Sequence, residues 1–591
     1  MSSFASQVTT FFDEFFRLNP LAASAVGMHD HDGAWPDLSE AGRVDRLAFA
    51  ERWAAALGAI PAAELDRDET VDQALLLQVL DEMRFDDDEM RQLSWDPLEW
   101  VYILGAGIFP LIAREFAPLA ERLTSVAGRL EGLPAVVDAA RENLVGTPDG
   151  RPVSRFHTET AIAQLPGILE LVGDALAEAE AQAPGDPAVR AVLERLRSAA
   201  AGTTEEIARA EAILRDEVLP RSTGEGRLGP GLFAAKLQRT LRDTQLTPAR
   251  ILERAAQEAD AVRAEMVRLA RELWPAWCPG VALPADEPAL IRAVLDAIAG
   301  EHPAPADLLD FCRAELARIE EFCRANDVVG LSDEPLDIRW TPVFLRAFGG
   351  AMLDSPGPLD HGQKSFFAIT PIPGDWTPAQ AESYLREDND RMLRVLTIHE
   401  AVPGHYLQGV YANRCPSLVR AVFSSGVYAE GWAVYVTQVM IDLGYGADDP
   451  ALLLTHWKFY LRAVLNAIID VRIHAGEAFG GPMTEDQAVD LMVRGGFQEL
   501  AEARNKYNRA RLSSTQLSTY FVGSMALWEL ELAVRRRQAG PSAAIVERPI
   551  PGGFGPTPGF SQRRHLEAAM SHGTLAPSLL RGLVLDEPAQ R

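Results

Sequence analysis

Three residues within a span of seven positions have the side chains that a metal-dependent hydrolase needs. The segment TIHEAVPGHYLQ contains His399, Glu400 and His405. Neutral imidazoles are common zinc ligands, and a carboxylate beside the metal can accept a proton from water. The residue types therefore predict a hydrolase in which His399 and His405 bind the metal and Glu400 activates a water molecule.

The spacing of the two histidines places a condition on the backbone. They are six residues apart, and at ~100° per residue a straight helix would place them ~240° apart. Pro403 and Gly404 lie between them. Proline removes a backbone donor and clashes with the preceding turn, whereas glycine accepts unusual dihedral angles. We therefore predict a helix distortion at this pair that brings His405 back to the side of His399.

A third candidate ligand, Glu430, lies 25 residues after His405 in the apolar segment SGVYAEGWAVYVTQ. A buried carboxylate requires a partner, and two histidines with one glutamate form a known catalytic zinc set that leaves one position open for water. We therefore predict one zinc ion per chain. The spacing alone leaves open an ion pair from Glu430 to Arg462 or Arg472. Iron, manganese and cobalt are alternative metals, but the glutamate after His399 favours zinc.

The elements that must position these residues are predicted to be helices. Apolar residues recur three and four positions apart, with charges between them, over 66–91, 187–217, 247–274 and 304–326. This pattern is typical of amphipathic helices. The fold class is therefore mainly α, and we expect a large, two-lobed, zincin-like helical fold around a deep cleft.

The length of 591 residues exceeds the ~250–300 at which single cores usually divide. The segment PRSTGEGRLGPG at 220–231 is rich in Gly and Pro, which is typical of a junction. We predict an N-terminal helical lobe at 1–225 and a catalytic lobe at 226–591.

Two local patterns lie just before the histidines. AFGGAML and KSFFAIT flank a loop rich in Pro, Gly and Asp, which predicts a small β-hairpin or sheet near residues 345–370. Its edge would pair with an extended peptide, or the hairpin simply packs against the helices. A capping box at Thr377-Pro378-Ala379-Gln380 then predicts one helix that continues to His399 and Glu400.

Composition restricts the partners and the location. The formal net charge is −28, so nucleic acids and anionic membranes would be repelled. No run of eighteen apolar residues is present, and the N-terminus lacks the features of a signal peptide. The four cysteines form no C-x-x-C pair and are predicted to be reduced. We therefore expect a cytoplasmic protein with no nucleic-acid or membrane partner.

The motif HEAVPGH, followed by AEGWAVY, resembles the signature of the bacterial family known as domain of unknown function 885. Members of this family resemble helical carboxypeptidases of the Taq type. The segments at 19–39 and 571–580 are similar to the opening and closing segments of the family, so the resemblance covers most of the chain. It implies that His399, His405 and Glu430 bind zinc and that Glu400 is the general base.

Two later segments also resemble family motifs. Asp470 and His474 in IIDVRIHAG are similar to an Asp-x-Gly-x-His stretch, and a later Arg-Tyr…Pro-Gly-Gln-x-x-x-Tyr-x-x-Gly pattern is matched by Arg509, Gln516, Tyr520 and Gly523. The chain departs from these patterns, with Arg472 in place of Gly, Asn466 where Arg is common, and Ser514-Thr515 in place of Pro-Gly. The substrate therefore does not follow from the resemblance.

These later residues are candidates for binding and catalysis. Tyr520 or His474 would donate a hydrogen bond to the oxyanion that forms during hydrolysis. Alternatively, Tyr520 is a half-buried core aromatic and His474 is bonded to Asp470. Arg509 would anchor a substrate carboxylate, as in a carboxypeptidase or dipeptidase, or form a surface ion pair. Asp470 and Gln516 complete the substrate-binding candidates.

The function predicted from the sequence is zinc-dependent cleavage of peptide or other small amide bonds, with Glu400 activating the water. A zinc hydrolase of a non-peptide or γ-linked amide would use the same ligands. A helical ligand-binding protein with a structural or vestigial metal site would bind without turnover. Three ligands rather than four favour catalysis. Nothing in the sequence indicates the oligomeric state.

Overall fold

Helices form most of the computed structural model, which describes residues 3–146, 151–341, 351–374, 376–540, 545 and 554–586. One small sheet accompanies them in this part of the chain. The predicted mainly α fold class is therefore confirmed. The chain divides into two compact units: unit 1 is Met1–Arg227 with Pro356–Gln363, and unit 2 is Leu228–Ser355 with Lys364–Arg591.

The helices of unit 1 bury aromatic and aliphatic faces. In the first helix, Phe11 and Phe15 lie one turn apart with ring centroids 5.7 Å apart, and Phe11 also lies 5.4 Å from Phe49. The helices are α1 Ser3–Leu18, α2 Pro20–Val26, α3 Glu40–Gly58, α4 Arg67–Phe85, α5 Pro97–Ala113, α6 Leu119–Glu131, α7 Leu133–Val145, α8 Arg155–Gln164, α9 Gly167–Gln182 and α10 Pro187–Ala212.

Unit 2 contains the three strands and the longest helix. Its elements are α11 Pro230–Leu241, α12 Pro248–Trp277, α13 Glu287–Ile298, α14 Leu308–Ala325, β1 Leu336–Trp340, β2 Ala351–Asp354, β3 Ser365–Ile369, α15 Pro378–Glu387, α16 Asp390–Glu400, α17 His405–Asn413, α18 Leu418–Val422, α19 Gly426–Asp442, α20 Pro450–His474, α21 Glu485–Asp490, α22 Leu500–Leu512, α23 Gln516–Ala539, α24 Gln562–Met570 and α25 Pro577–Leu585. The helices α4, α10, α12 and α14 lie within or close to the four segments that the periodicity indicated.

Helix α20 is the central element of unit 2. It is buried on all sides: nearly every residue from Ala451 to His474 is buried, including polar residues such as Asp470 and His474. A helix with this pattern has to be surrounded by other elements. It packs against α12, α16 and α23, and it also contacts α19 and α22. The helices that carry the candidate site residues are therefore grouped around α20.

The predicted hairpin is present in the described residues. Strand β2 pairs antiparallel with β3, with Ala351 opposite Ile369 and Asp354 opposite Phe366; residues 345–350 of the prediction lie outside the described residues. Strand β1 pairs parallel with β3 on its other side, so the order is β1-β3-β2 and β2 lies at an edge. The sequence did not predict β1, because a parallel pairing depends on the path of the chain rather than on a turn.

The single helix predicted from Thr377 to Glu400 is wrong, because two helices occupy this segment. The capping box formed by Thr377 is present and starts α15, but α15 ends at Glu387. The side chain of Asn389 then accepts hydrogen bonds from the backbone N–H groups of Arg391 and Met392 and starts α16. An asparagine at an N-cap competes with continuation of the preceding helix.

One helical segment among the described residues, Arg155–Gln182, is long and apolar enough to cross a membrane, and a pair bent by 105° near residue 95 would pass the same test together. The core helices of soluble proteins also pass a test of length and composition. In this segment Ile162, Leu165 and Ile168 are buried in unit 1.

In unit 1, His29, Asp32 and Asp360 form a charged clasp that connects the 356–363 segment to the start of the chain. His29 Nδ1 lies 2.8 Å from Asp32 and Nε2 lies 3.0 Å from Asp360, while the ring stacks on Phe116 with centroids 3.6 Å apart. Burial alone would lower the pKa of His29, but the hydrogen bonds to the two carboxylates raise it to about 9. The imidazole is therefore a cation at neutral pH.

We expect this clasp to make the stability of unit 1 depend on pH. Its contribution is fully present below the unfolded pKa of 6.5 and is lost as pH rises through about 9. His29→Asn should lower the melting temperature by ~2–4 °C at pH 6 and by less at pH 9.5. The control is His31→Asn, because the structure shows no side-chain hydrogen bond for His31 in the described residues. Equal losses at both pH values in differential scanning fluorimetry would contradict the clasp.

Candidate functional site

The first two candidate residues lie at the end of α16. His399 and Glu400 are its last residues, and Ala401 leaves the helical conformation with φ −106° and ψ −94°. The peptide bond between Val402 and Pro403 is cis. The helix therefore stops where the sequence indicated a distortion, and His405 begins α17.

Gly404 allows the turn after α16 to fold tightly onto the helix end. Its N–H donates to the carbonyl of Ile398 at 3.1 Å. A Cβ atom at this position would lie 1.9 Å from the carbonyl oxygen of His399, so only glycine fits. The indole N–H of Trp432 donates to the carbonyl of Pro403 at 2.9 Å and supports the turn from α19. The predicted distortion is confirmed, and it brings His405 next to His399, with ring centroids 4.8 Å apart.

Glu430 reaches this pair from α19, and its position depends on the packing of α19 against α23. The next residue, Gly431, lies so close to Gly523 that a Cβ atom on it would be 2.3 Å from the carbonyl carbon of Gly523. A Cβ atom on Gly523 would lie 2.0 Å from the carbonyl oxygen of Val427. The two helix backbones are therefore in direct contact, beside the candidate ligand.

The three predicted ligands converge. One ligand atom from each of His399, His405 and Glu430 lies within 4.8 Å of the other two, and His405 Nε2 is 3.6 Å from a Glu430 oxygen. Ligands of a tetrahedral zinc ion lie about 3.4 Å apart, so small side-chain adjustments suffice. The side chains of His405 and Glu430 are enclosed but keep 17% and 23% exposure, which allows water to reach them.

The alternative in which Glu430 pairs with an arginine does not describe the structure. Arg472 donates to the carbonyl of Gly481 at 3.5 Å. The guanidinium of Arg462 lies over the ring of Phe459 at 5.2 Å. Among the described residues, Glu430 instead has His405, Gln516 and Tyr520 as its partners.

The protonation states of His399 and Glu430 suit a metal ion, whereas His405 would have to lose its proton to bind one. Burial lowers the pKa of His399 to about 3, and the neighbouring His405 adds to this effect. Burial would raise the pKa of Glu430, but the hydrogen bond and charge of His405 hold it below its usual value. Burial would lower the pKa of His405, but Glu430 and Glu400 raise it. A neutral imidazole and an ionised carboxylate are the forms that bind zinc.

Glu400 is held beside the ligands in a form suited to proton transfer. Burial raises the pKa of its carboxyl to about 7, with His405 opposing and Glu430 adding to the shift. The backbone N–H of Leu353 in β2 donates to this carboxyl and also lowers its pKa. A general base works best when its pKa lies near the working pH. The sequence did not indicate the contact with Leu353.

Tyr520, Gln516 and Arg509 form a hydrogen-bonded group next to Glu430. Gln516 Nε2 lies 3.4 Å from a Glu430 oxygen and 3.1 Å from the Tyr520 hydroxyl. Arg509 Nη2 donates to Gln516 Oε1 at 3.1 Å and lies 3.4 Å from the same hydroxyl. Burial raises the pKa of Tyr520 to about 12, so it keeps its proton. The structure brings these three predicted residues to the site.

Asp470 and His474 support the site from behind. The Asp470 carboxylate accepts hydrogen bonds from the backbone N–H groups of Thr515 and Ser518 at 3.0 and 3.1 Å, at the start of α23. His474 Nε2 donates to the carbonyls of Ala510 and Ser513 at 2.7 and 2.9 Å. Both residues hold the turn between α22 and α23. Because these side chains are hydrogen-bonded to the backbone, they are candidates for positioning the site and not for donating to a substrate.

The comparisons with known proteins identify the family. The family model described as "Bacterial protein of unknown function (DUF885)" matches residues 20–584, and the chain belongs to this family. The comparison with curated proteins gives no match.

Two solved structures are similar to the chain, and both are described as putative lipoproteins. The first, of unknown function, is from Shewanella oneidensis: it is 30% identical, with a TM-score of 0.79, over 99% of this chain and 100% of that one. The second is from Colwellia psychrerythraea and is 14% identical, with a TM-score of 0.75, over 99% and 98% of the two chains. The likeness to Taq-type carboxypeptidases stays a prediction.

The cytoplasmic location predicted from the sequence is wrong. The similar structures are described as lipoproteins, a class of proteins held at a membrane and not free in the cytoplasm. The prediction relied on apolar runs and on signal-peptide features. A covalently attached lipid supplies membrane affinity that the hydropathy of the chain does not record.

We expect the contact between Gly431 and Gly523 to control both stability and metal binding. Gly431→Ala adds a methyl group where the backbones touch, and should destabilise the fold by about 1–3 kcal/mol and weaken zinc binding by moving Glu430. Gly426→Ala is the control on the same helix, because a Cβ atom there meets nothing within 4 Å. Melting curves and zinc titrations would measure both effects. Similar results for the two variants would show that the close approach is not needed.

Proposed function

We propose that the chain is a zinc-dependent hydrolase that cleaves peptide or other small amide bonds. The observation that carries this proposal is the convergence of His399, His405 and Glu430 within 4.8 Å, with Glu400 adjacent in the chain. His399 lies at the end of α16, His405 at the start of α17 and Glu430 within α19. A purely structural packing role does not explain why these three polar side chains meet. Three protein ligands leave a fourth position for water, as in catalytic zinc sites.

In the proposed site, His399, His405 and Glu430 would hold the zinc ion. The ion would supply Lewis acidity and lower the pKa of a water molecule to ~7. Glu400 would accept a proton from the attacking water on its carboxylate as the water oxygen bonds to the substrate carbonyl carbon, and would pass that proton to the amine nitrogen as the C–N bond breaks. Its hydrogen bond from Leu353 keeps the carboxyl oriented during both transfers.

Tyr520 would stabilise the negative charge that develops on the substrate carbonyl. Gln516 and Arg509 direct N–H groups toward the Tyr520 oxygen, so the hydroxyl hydrogen remains available to an acceptor. Without a substrate, the hydroxyl donates to Glu430 and lowers the pKa of that carboxyl; in the proposed reaction it would donate to the substrate oxygen instead. A neutral hydroxyl fixed in place before the reaction is an effective oxyanion donor.

The edge strand supports a peptide as substrate. Strand β2 lies at the edge of the sheet, and its Leu353 contacts Glu400. An extended peptide aligned along such an edge would be held through its backbone, without selection for particular side chains. The cleaved bond would then lie next to Glu400.

Glu400→Gln should bind about one zinc ion per chain, as the wild type does, and should lower kcat/KM by about 10²–10⁴-fold. The reason is that an amide cannot accept the proton. Elemental analysis and cleavage of a mixed peptide library would test both parts. Glu194→Gln is a matched control, since that side chain is 81% exposed. The proposal fails if zinc does not bind, or if Glu400→Gln retains wild-type turnover.

Tyr520→Phe should lower kcat by about 10²–10³-fold with unchanged zinc content, because one oxyanion donor is removed. Tyr507→Phe is the matched control, because it removes the same hydroxyl group from a tyrosine on α22 whose ring lies under Arg511. Steady-state kinetics on the same peptide would measure the effect. A change in KM alone would assign Tyr520 to substrate binding rather than to the transition state.

A further inference from the structure

Two arginines near the candidate metal site have no carboxylate partner among the described residues. Arg509 uses only Nη2, toward Gln516 and Tyr520. Arg462 makes neither a hydrogen bond nor an ion pair within this part of the chain, and its guanidinium carbon lies 5.2 Å from the centroid of Phe459. Arg394, another half-buried arginine of unit 2, instead contacts carboxylates at 3.1 and 3.2 Å.

Both arginines lie close to the proposed zinc ligands. The ring of Phe459 contacts both Arg462 and His399. The ring centroids of Phe459 and His399 are 5.4 Å apart. Arg509 reaches Glu430 through Gln516. The two guanidinium groups therefore approach the site from α20 and from α22.

The two arginines also lie near each other. Burial lowers the pKa of Lys506 to about 8, and the charges of both Arg462 and Arg509 contribute to the shift. Arg509 follows Lys506 by three residues on α22, so the two side chains lie on one face of that helix, and α22 packs against α20, which carries Arg462. Both keep partial solvent exposure, so a ligand can reach them.

The carboxylates around this space are already engaged. Glu387 accepts a hydrogen bond from Lys458 at 2.9 Å, and Glu502 lies 3.6 Å from Lys506. Asp388 is enclosed, and burial raises its pKa to about 7 even though Arg462 opposes the shift. The charge of Arg462 also lowers the pKa of Glu387, but neither arginine donates a hydrogen bond to these carboxylates, so the paired N–H donors of both guanidinium groups are not used by a carboxylate of the described residues. A half-buried guanidinium group with unused donors is a site at which a carboxylate can bind.

We propose that Arg462 and Arg509 bind a carboxylate of the substrate, so that the enzyme prefers amides with a free carboxylate close to the cleaved bond. This inference rests on the proposed hydrolase function and names its substrate class. A guanidinium group offers paired N–H donors that match the two oxygens of a carboxylate. The carboxylate belongs either to a peptide C-terminus or to an acidic side chain.

Binding to the zinc-loaded Glu400→Gln variant tests the inference without turnover. Isothermal titration would compare a short peptide with a free C-terminus, its C-terminal amide, and the same amide with a glutamate side chain next to the last residue. We expect one of the carboxylate ligands to bind about 10–100-fold more tightly than the plain amide. The ligand that does so identifies the source of the carboxylate.

Adding Arg462→Gln to this background should abolish the preference. Arg462→Lys should keep part of it, because the charge remains and the paired donors are lost. Arg494→Gln is the control, since that side chain is 81% exposed. Far-UV circular dichroism and zinc content would confirm that each variant folds. In kinetics on the wild-type background, Arg462→Gln should raise KM for the preferred peptide more than it lowers kcat.

The possible outcomes separate this inference from the proposed function. Equal binding of acid and amide by a protein that takes up zinc and cleaves peptides would overturn the inference alone. Tighter binding of ligands with a free amine and no carboxylate would also overturn it, and would point to Asp388 instead. Failure to bind zinc or to cleave any amide would overturn the proposed function itself.

Discussion

Gly431 of α19 lies directly against Gly523 of α23, and neither position has room for a side chain. Because the backbones touch there, the residue before Gly431 is held at a fixed distance from the first turns of α23. That residue is Glu430, and α23 carries Gln516 and Tyr520. The carboxylate and its hydrogen-bonded neighbours therefore take their relative positions from a contact that involves no functional group.

A second contact of the same type brings the two histidines of the candidate metal site together. Gly404 lies against the carbonyl of His399, and this allows the chain to turn between α16 and α17 so that both imidazoles face one point. Helix α20 then supports the assembly. Asp470 holds the N-terminus of α23, while His474 holds the end of α22. The buried carboxylate of Asp470 and the buried imidazole of His474 thus orient the backbone. Tyr520 and Arg509 are then left to face the candidate site.

The local patterns in the sequence predicted the elements that depend on nearby residues. The capping box at Thr377, the hairpin of β2 and β3, and the break at Gly404 each arise from a few adjacent side chains. The break after Glu387 was missed, although Asn389 is a good N-cap, because the apolar periodicity continues across it. Strand β1 and the bond from Leu353 to Glu400 were missed because their partners lie far away in the chain. The predicted cytoplasmic location was wrong because hydropathy does not record a covalently attached lipid, the feature that defines the class in which the two similar structures are placed.

By itself the sequence determined the mainly helical fold, the turn at Pro403 and Gly404, and the identity of the three residues that converge as candidate metal ligands. These features follow from side-chain chemistry and short-range sterics, which a linear pattern records. Only the tertiary structure decided the partners of Glu430, the supporting roles of Asp470 and His474, and the exposure of Arg462 without a carboxylate. Those outcomes depend on which distant surfaces pack together, and helix contacts such as that of Gly431 with Gly523 are set by shape over the whole unit.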